Sequence, residues 1–136
     1  MVTSMATPFA TRASFRRPLD QVKTYVEAPA FEEIESLIDG IDRGEIECVT
    51  MYGPRDERLF IIGKPGFYHL TMFIDETDGY AFSDNSGDNS KIEIAGDYWP
   101  SFRVCKDKSK LVEASREFYE SGSRPVGQTW LEFSED

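Results

Sequence analysis

Residues that could carry out covalent chemistry are scarce in this sequence. Its one histidine, His69, lies in a run that alternates with apolar residues, and its two cysteines, Cys48 and Cys105, stand apart and outside any Cys-x-x-Cys pair. A nucleophile needs a nearby base and an orienting group, and a structural zinc site needs several Cys or His ligands. The sequence therefore predicts a protein that is not an enzyme, with no catalytic residues, no metal site and no cofactor.

Each remaining chemical possibility has a plainer explanation. His69 is expected to be a satisfied or partly exposed strand histidine. The cysteines are expected as reduced thiols, and a disulfide between them stays open. Residues 83–90 are polar, but they lack the ligand spacing of a calcium loop and predict a surface loop. Phosphate-binding glycine loops and the GxSxG elbow are absent from the sequence.

The charge of the chain is strongly acidic and unevenly distributed. Its 25 Asp and Glu against 15 Lys and Arg give a net charge of −10. Residues 1–25 carry four basic residues and one acid, which is +3, and this leaves −13 for residues 26–136. An acidic body repels nucleic acid and anionic membranes and attracts a basic protein, although acidity can also serve solubility alone. We expect a protein partner, no nucleic acid and no membrane.

Apolar residues at helical spacing predict two helices. The first covers the run FEEIESLIDGI, with Gly40 as its expected end, and the second covers KSKLVEASREFYES. Asp107 is the expected N-cap of the second helix, and Gly122 is its expected left-handed end.

Between the helices, the period of the apolar residues changes to two. Five short segments bounded by turn residues predict an antiparallel meander, with Gly79 supplying a positive φ in a tight hairpin, and a last strand follows Pro125. The fold class is α+β, an antiparallel sheet of about five to six strands with two main helices packed on it as a single layer pair. Residues 1–29 are expected to be an extended or poorly ordered basic arm, and residues 30–136 a single domain.

A set of residues in fixed order spans the second helix, the turn after it and the last strand. The set follows A-x-x-E-F/Y-F/Y, then T/S-G-x-R-P, then a strand with W, and a loop, strand and glycine precede it. It consists of Ser86, Gly87, Ile92, Ile94, Gly96, Pro100, Ala114, Glu117, Phe118, Tyr119, Ser121, Gly122, Arg124, Pro125 and Trp130. Over residues 63–133 the chain resembles immunity protein family one (the immunity protein 1 family) of bacterial polymorphic toxin systems, and the basic arm has no counterpart there.

This resemblance implies a cytoplasmic antidote that binds a cognate toxin domain, often a nucleic-acid deaminase, and covers its basic active-site cleft. The acidity of the chain would then speed association. Candidate contact residues are the acids of two polar turns and nearby aromatics, namely Asp75, Glu76, Asp78, Tyr80, Phe82, Asp84, Asp88 and Trp99.

A pattern that spans a helix, a turn and a strand is better explained by residues that hold these elements together, here called a fold lock, than by a contact site. A structural role is therefore expected for Ser86, Gly87, Gly96, Glu117, Phe118, Gly122, Arg124, Pro125 and Trp130, with Arg124 stacked on Trp130 or paired with a buried acid. Two other functions stay open. One is a non-toxin interaction or adaptor domain of the same fold, and the other is a small hydrolase that uses carboxylates. The oligomeric state is open as well.

Overall fold

Nine strands and two helices make up the part of the chain that the computed structural model describes, residues 7–125 and 127–134. The strands are β1 (Arg12–Arg16), β2 (Thr24–Glu27), β3 (Cys48–Tyr52), β4 (Arg58–Lys64), β5 (Phe67–Phe73), β6 (Asp78–Ser83), β7 (Lys91–Ile94), β8 (Asp97–Pro100) and β9 (Thr129–Ser134); the helices are α1 (Phe31–Asp42) and α2 (Lys108–Ser121). Seven strands form an antiparallel sheet in the order β2-β1-β3-β4-β5-β6-β9, and β7 and β8 form a separate hairpin. The α+β class is confirmed, but the predicted number of strands is too small.

The expected arm contributes two of the additional strands. β1 pairs with β2 on one side and with β3 on the other, and Ala13 and Ser14 are buried. The segment from β1 to β2 therefore forms one edge of the main sheet. Its strand pattern is hard to see in sequence because Arg12, Ser14 and Arg16 are polar on one face. The first six residues of the predicted arm lie outside the described part of the chain.

The two helices cover one face of the main sheet. Ile34, Ile38 and Ile41 of α1 and Leu111 and Phe118 of α2 are all buried in one apolar cluster with the strands. The strand residues of that cluster are Ala13, Val49, Met51, Leu59, Ile61, Tyr68, Leu70, Met72 and Phe82. In β5 the alternation follows the sequence prediction, because Leu70 and Met72 face the helices while His69, Thr71 and Phe73 face the other way.

Within the part of the chain that the structure describes, the β7–β8 hairpin covers one end of the opposite face of the sheet. Ile94 of the hairpin is buried with Cys48, Ile62 and Val104 in a second, smaller cluster, and Ile92 and Trp99 pack against it. The sequence places β7 in the meander, but it leaves the main sheet and turns back at Gly96, whose φ is +88°. β8 was missed because DYWP is short and ends in proline.

Two glycines have roles different from those predicted. Gly40 does not end α1; it is buried inside the helix, and a β-carbon there would lie 2.7 Å from Cδ1 of Ile46. Gly79 is a strand residue without a positive φ, and a β-carbon there would lie 2.8 Å from the Phe133 ring. Close approach of a neighbour explains both glycines, whereas turn geometry explains neither.

The caps of α2 are confirmed. Oδ1 of Asp107 accepts a hydrogen bond of 2.9 Å from the Ser109 backbone N–H, and Gly122 ends the helix with φ +73° and donates to the Phe118 carbonyl at 2.9 Å. A β-carbon on Gly122 would also lie 2.7 Å from the Phe9 ring, which packs edge-on against Phe118 at 5.4 Å between centroids. Gly122 therefore combines a helix end with a close aromatic contact.

A polar network joins α1, α2 and β5. Lys108 of α2 lies 2.5 Å from Oδ1 of Asp39 and 2.9 Å from Oδ2 of Asp42, and Asp42 accepts a hydrogen bond from the Tyr68 hydroxyl. Burial would raise the pKa of Asp42, but hydrogen bonds from Tyr68, Lys108 and the Gly66 N–H outweigh it and hold that pKa below its ordinary value. Burial and the bond to Asp42 raise the pKa of Tyr68 to about 12.

The described helices include none that is long and apolar enough to cross a membrane.

Candidate recognition surface

The uncovered part of the sheet carries a row of arginines and aromatic rings. Through strand pairing, Arg12 of β1 lies opposite Tyr52 of β3, Tyr52 opposite Arg58 of β4, and Arg58 opposite Phe73 of β5. The row continues across Gly79 to Phe133 of β9. We call this row, together with Tyr25 of β2 beside it, the open face. Its residues reach this surface because every second side chain of a strand points to the same side.

The rings and guanidinium groups of the open face stack on one another. The Arg12 guanidinium carbon lies 4.8 Å from the Tyr25 ring centroid and 4.9 Å from that of Tyr52. The Arg58 guanidinium carbon lies 4.8 Å from the Phe73 centroid, and Phe73 meets Phe133 edge-on at 5.7 Å. Such stacking orients a guanidinium without neutralising its charge.

These arginine charges are not paired within the described residues. The ion pairs there involve Arg16, Arg43, Lys108 and Arg116, and none involves Arg12 or Arg58. Nε of Arg58 is buried and has no acceptor in this part of the chain. On a protein with a net charge of −10, the open face is therefore a local concentration of available positive charge and hydrogen-bond donors.

His69 lies at the covered end of the same face and is fully hydrogen-bonded. Its Nδ1 lies 3.0 Å from the Arg103 carbonyl oxygen, and its Nε2 lies 2.9 Å from the Thr71 hydroxyl. A carbonyl can only accept, so Nδ1 carries the hydrogen and Thr71 donates to Nε2. Trp99 of β8 stacks on the imidazole at 3.9 Å, and burial lowers the pKa of His69 to about 4. The prediction of a satisfied strand histidine is confirmed, and the ring is neutral at pH 7.

The structure separates the predicted contact acids into two groups. Asp75, Glu76 and Asp78 lie at the β5–β6 turn, whereas Asp84 and Asp88 follow the other end of β6. At about 3.3 Å per residue, the six residues of β6 put roughly 20 Å between the two groups. They do not form one acidic rim.

Asp75, Asp84 and Asp88 each shape the turn in which they lie. Oδ1 of Asp75 accepts from the N–H groups of Thr77 and Asp78, both at 2.8 Å, and Asp84 and Asp88 each accept at 2.9 Å from the N–H two residues on. Hydrogen bonds to these carboxylates lower the pKa of all three. These three carboxylates therefore remain charged at neutral pH.

Only some of the predicted contact residues border the open face. Asp75 and Glu76 line a shallow cleft of about 360 Å³ with Tyr52, Arg55, Asp56 and Arg58. Trp99 lies at the hairpin end of the face. Tyr80 lies on the helical side of the sheet, where Phe82 is buried, so the predicted aromatic contacts do not come together.

The residues predicted as a fold lock lie around the end of α2 and the adjoining strands. Trp130 packs against the helical-side core and meets Phe82 edge-on at 6.1 Å. Arg124 stacks on Tyr80, at 3.5 Å from its ring centroid, instead of on Trp130 or a buried acid. Ser86 and Gly87 lie in the exposed loop, Gly96 in the β7–β8 turn, Glu117 and Phe118 in α2, and Pro125 is buried. The structural role of the set stays a prediction.

The two cysteines are free and lie on opposite faces of the sheet. Cys48 belongs to the hairpin-side cluster and Cys105 to the helical-side cluster. The sheet between them separates the thiols, which settles the open question of a disulfide in favour of two reduced residues. Within residues 7–125 and 127–134, no group of three or more His, Cys, Asp or Glu side chains could hold a metal ion.

Sequence reasoning missed Arg12, Tyr25, Tyr52, Arg58 and Phe73, which make up most of the open face. The open face could have been predicted from the alternation of polar and aromatic residues on these strands, but the strands were predicted from their apolar residues alone. In β1 the alternation lies within the segment that was predicted to be an arm.

Comparisons with known proteins identify a family and a fold. A family model described as "Family of unknown function (DUF6911)" matches residues 20–127. Among the curated proteins, none matches the sequence significantly. A solved structure described as a hypothetical protein from Neisseria gonorrhoeae has 18% sequence identity, covers 93% of this chain and 96% of that chain, and superposes with a TM-score of 0.60. At that identity the likeness concerns the fold alone.

Proposed function

The chain belongs to DUF6911, a family of unknown function, and we propose that this member is an immunity protein that binds and neutralises a cognate bacterial toxin domain. The toxin class implied by the sequence resemblance is a nucleic-acid deaminase, met in the cytoplasm. The protein would act without chemistry of its own, by covering the toxin's active-site cleft.

The observation that carries the proposal is the open face. Tyr and Arg are the residues that most often supply binding energy at protein interfaces, and here they lie side by side on a rigid sheet. Tyr25, which stacks on Arg12, is 52% exposed, so apolar surface is available beside this arginine. This combination of aromatic rings, arginines and exposed apolar surface is more typical of a protein-binding surface than of a strand face that contacts only solvent.

Charge supports a partner that is basic outside the contact centre. Asp56, Asp75 and Glu76 line the same cleft as Arg58 at one edge of the open face, and the whole chain carries −10. Long-range attraction would bring a basic toxin to the protein, and the stacked arginines and rings would then anchor it. The acids would act mainly on the association rate and the open face mainly on the dissociation rate.

The test is co-expression with the toxin domain encoded beside this gene, scored by survival of the host and by co-purification. Arg58→Gln should weaken the complex by more than about tenfold, which is about 1.4 kcal/mol. Arg43→Gln is the matched control: it removes the same charge from an exposed residue after α1, whose ion pair within the described residues is with Glu45. Association should slow as salt rises, because added ions screen the attraction.

Equal binding by both arginine variants would place the contact elsewhere, and an association rate indifferent to salt would remove the electrostatic step. A neighbouring gene that encodes no toxin, together with a complex with its product through the open face, would favour the adaptor function instead.

A further inference from the structure

A cleft lies on the open side of the sheet between the β7–β8 hairpin and β9. Its volume is about 350 Å³, within the range of roughly 300–1,000 Å³ typical of small-molecule sites. Thr71 and Ala81, which face each other across β5 and β6, form its floor. The edge-on pair of Phe73 and Phe133 closes one end. The small side chain of Ala81 helps to keep this cleft open, because a larger side chain at that position would extend into it.

The other end of the cleft combines an aromatic surface with a cation. Trp99 and Arg103 line this end, and Trp99 is held flat by its stacking on His69. His69 contributes no charge, because burial lowers its pKa to about 4 and the ring is neutral at pH 7. The Arg103 guanidinium forms no ion pair with any described carboxylate.

Two N–H groups of the lining residues lack an acceptor. Nε of Arg103 and Nε1 of Trp99 are both buried without a hydrogen-bond partner in the described part of the chain. Both groups are donors only, so the chemistry they lack is that of an acceptor. The one carboxylate among the lining residues, Glu132, has its Oε2 3.4 Å from the Tyr80 hydroxyl on the helical side. An anionic acceptor at Arg103 would therefore complete this end of the cleft.

We propose that this cleft binds a small aromatic carboxylic acid. The ring would lie among Trp99, Phe73 and Phe133 over the floor of Thr71 and Ala81, and the carboxylate would pair with Arg103. The planar guanidinium of Arg103 can pair with the carboxylate of such a ligand, and the aromatic side chains beside it can pack against the ligand's ring. A cationic ligand would be repelled by the Arg103 guanidinium. A purely apolar ligand would bury the charge of Arg103 without giving it a partner.

The experiment uses the two tryptophans of the chain as reporters. In a Trp130→Phe protein, Trp99 is the only tryptophan and lies in the cleft. We expect 3-phenylpropionate to change Trp99 fluorescence saturably at millimolar concentration. We expect 3-phenylpropanamide, its neutral isostere, to bind at least about tenfold more weakly, about 1.4 kcal/mol.

Arg103→Gln in the same background should remove the preference for the acid over the amide, while Arg43→Gln should leave it unchanged. Arg103→Lys keeps the charge and should keep part of the preference, which separates loss of the cation from loss of folding; circular dichroism checks the fold of each variant. Equal affinity for acid and amide, or the absence of saturation, would overturn the proposal. Because the measurement uses the isolated protein, its outcome is independent of whether a toxin is the partner.

Discussion

At the scale of single residues, His69 shows how burial and hydrogen bonding fix a protonation state. The ring is 2% exposed and lies under Trp99, so its protonated form would lose most of the solvation that water gives it. In the unfolded chain the same group takes up a proton near pH 6.5. The folded protein therefore resists a protonation that the unfolded chain accepts.

We predict that the stability of the protein falls as the pH drops from about 6.5 to 4, because His69 has a lowered pKa in the folded state. The unfolded state binds the extra proton in this window, so the free energy of unfolding rises with pH across it, by on the order of 3 kcal/mol in total. Urea unfolding at several pH values measures the slope, and His69→Gln should flatten it. NMR titration of the single histidine gives its folded pKa directly, and a value near 6.5 would contradict this account.

At the scale of elements, the polar network of Asp42 fastens α1 to α2 and to β5. We predict that Asp42→Asn lowers the free energy of unfolding at pH 7 by roughly 1–3 kcal/mol, because it weakens the bonds to Tyr68 and Lys108 together. Asp39→Asn is the matched control, since the Asp39 carboxylate pairs with Lys108 but forms no bond with Tyr68 in the described residues, and its side chain is 50% exposed. Urea unfolding of both variants provides the comparison.

The same carboxylate gives a pH dependence of known sign. The pKa of Asp42 is lowered in the folded state, so its contribution is complete above the unfolded value of about 3.9 and is lost as the pH falls through the folded pKa. An Asp42→Asn protein should thus lose less stability on acidification below pH 4 than the parent. If the two asparagine variants were equally stable, Asp42 would not be the centre of the network.

The last strand is fastened to the core through Trp130. Its ring packs beside Phe82 on the helical side, while Leu131 and Phe133 of the same strand face the open side. We predict that Trp130→Ala lowers the free energy of unfolding by roughly 2 kcal/mol, less than for a fully buried tryptophan because this one is half-buried. Trp130→Phe should keep most of the stability. Thermal and urea unfolding measure both, and a stable alanine variant that lost only partner binding would identify Trp130 as a contact residue.

The sequence predicted those elements whose apolar faces are regular. Apolar residues recur at regular spacing in α1, α2 and β3 to β6. The caps of α2 could be predicted from two residue types that are typical of helix ends, Asp107 and Gly122. β1, β2 and β8 were missed because polar residues, proline and short length hide their alternation. The end of α1 and the β5–β6 turn were misplaced because Gly40 and Gly79 are required by close contacts with Ile46 and Phe133, and the spacing of apolar residues does not reveal such contacts.

The candidate surface was less predictable than the fold for a related reason. The open face joins residues of all seven strands of the main sheet through pairing registers, and the stacking of Arg12 on Tyr25 and Tyr52 depends on a hairpin that was not expected. The acidic turns were visible in sequence, but their separation by the length of β6 was not. The composition shows that the net charge is negative, whereas the order of the strands determines where the acidic residues lie on the surface.

At the scale of the whole molecule, the excess of acids has a cost for the folded state. The exposed acids of α1 and of the turns at both ends of β6 repel one another when the chain is compact. Few of these acids have a basic partner, because the described residues contain five ion-pair contacts. Self-repulsion of this kind is screened by salt, and the screening length falls from about 30 Å at 0.01 M to about 10 Å at 0.1 M.

We therefore predict that the protein becomes more stable as sodium chloride rises from about 0.01 M to 0.5 M at pH 7, since screening weakens the repulsion among the excess acids more than it weakens the few ion pairs. The midpoint of urea unfolding at each salt concentration measures the effect. Near pH 4.6, the isoelectric point of the sequence, the net charge is close to zero and the gain should disappear. A midpoint at pH 7 that fell with salt would mean that the ion pairs of Lys108, Arg16 and Arg116 outweigh the repulsion, and the acidity would then have to be regarded as locally compensated.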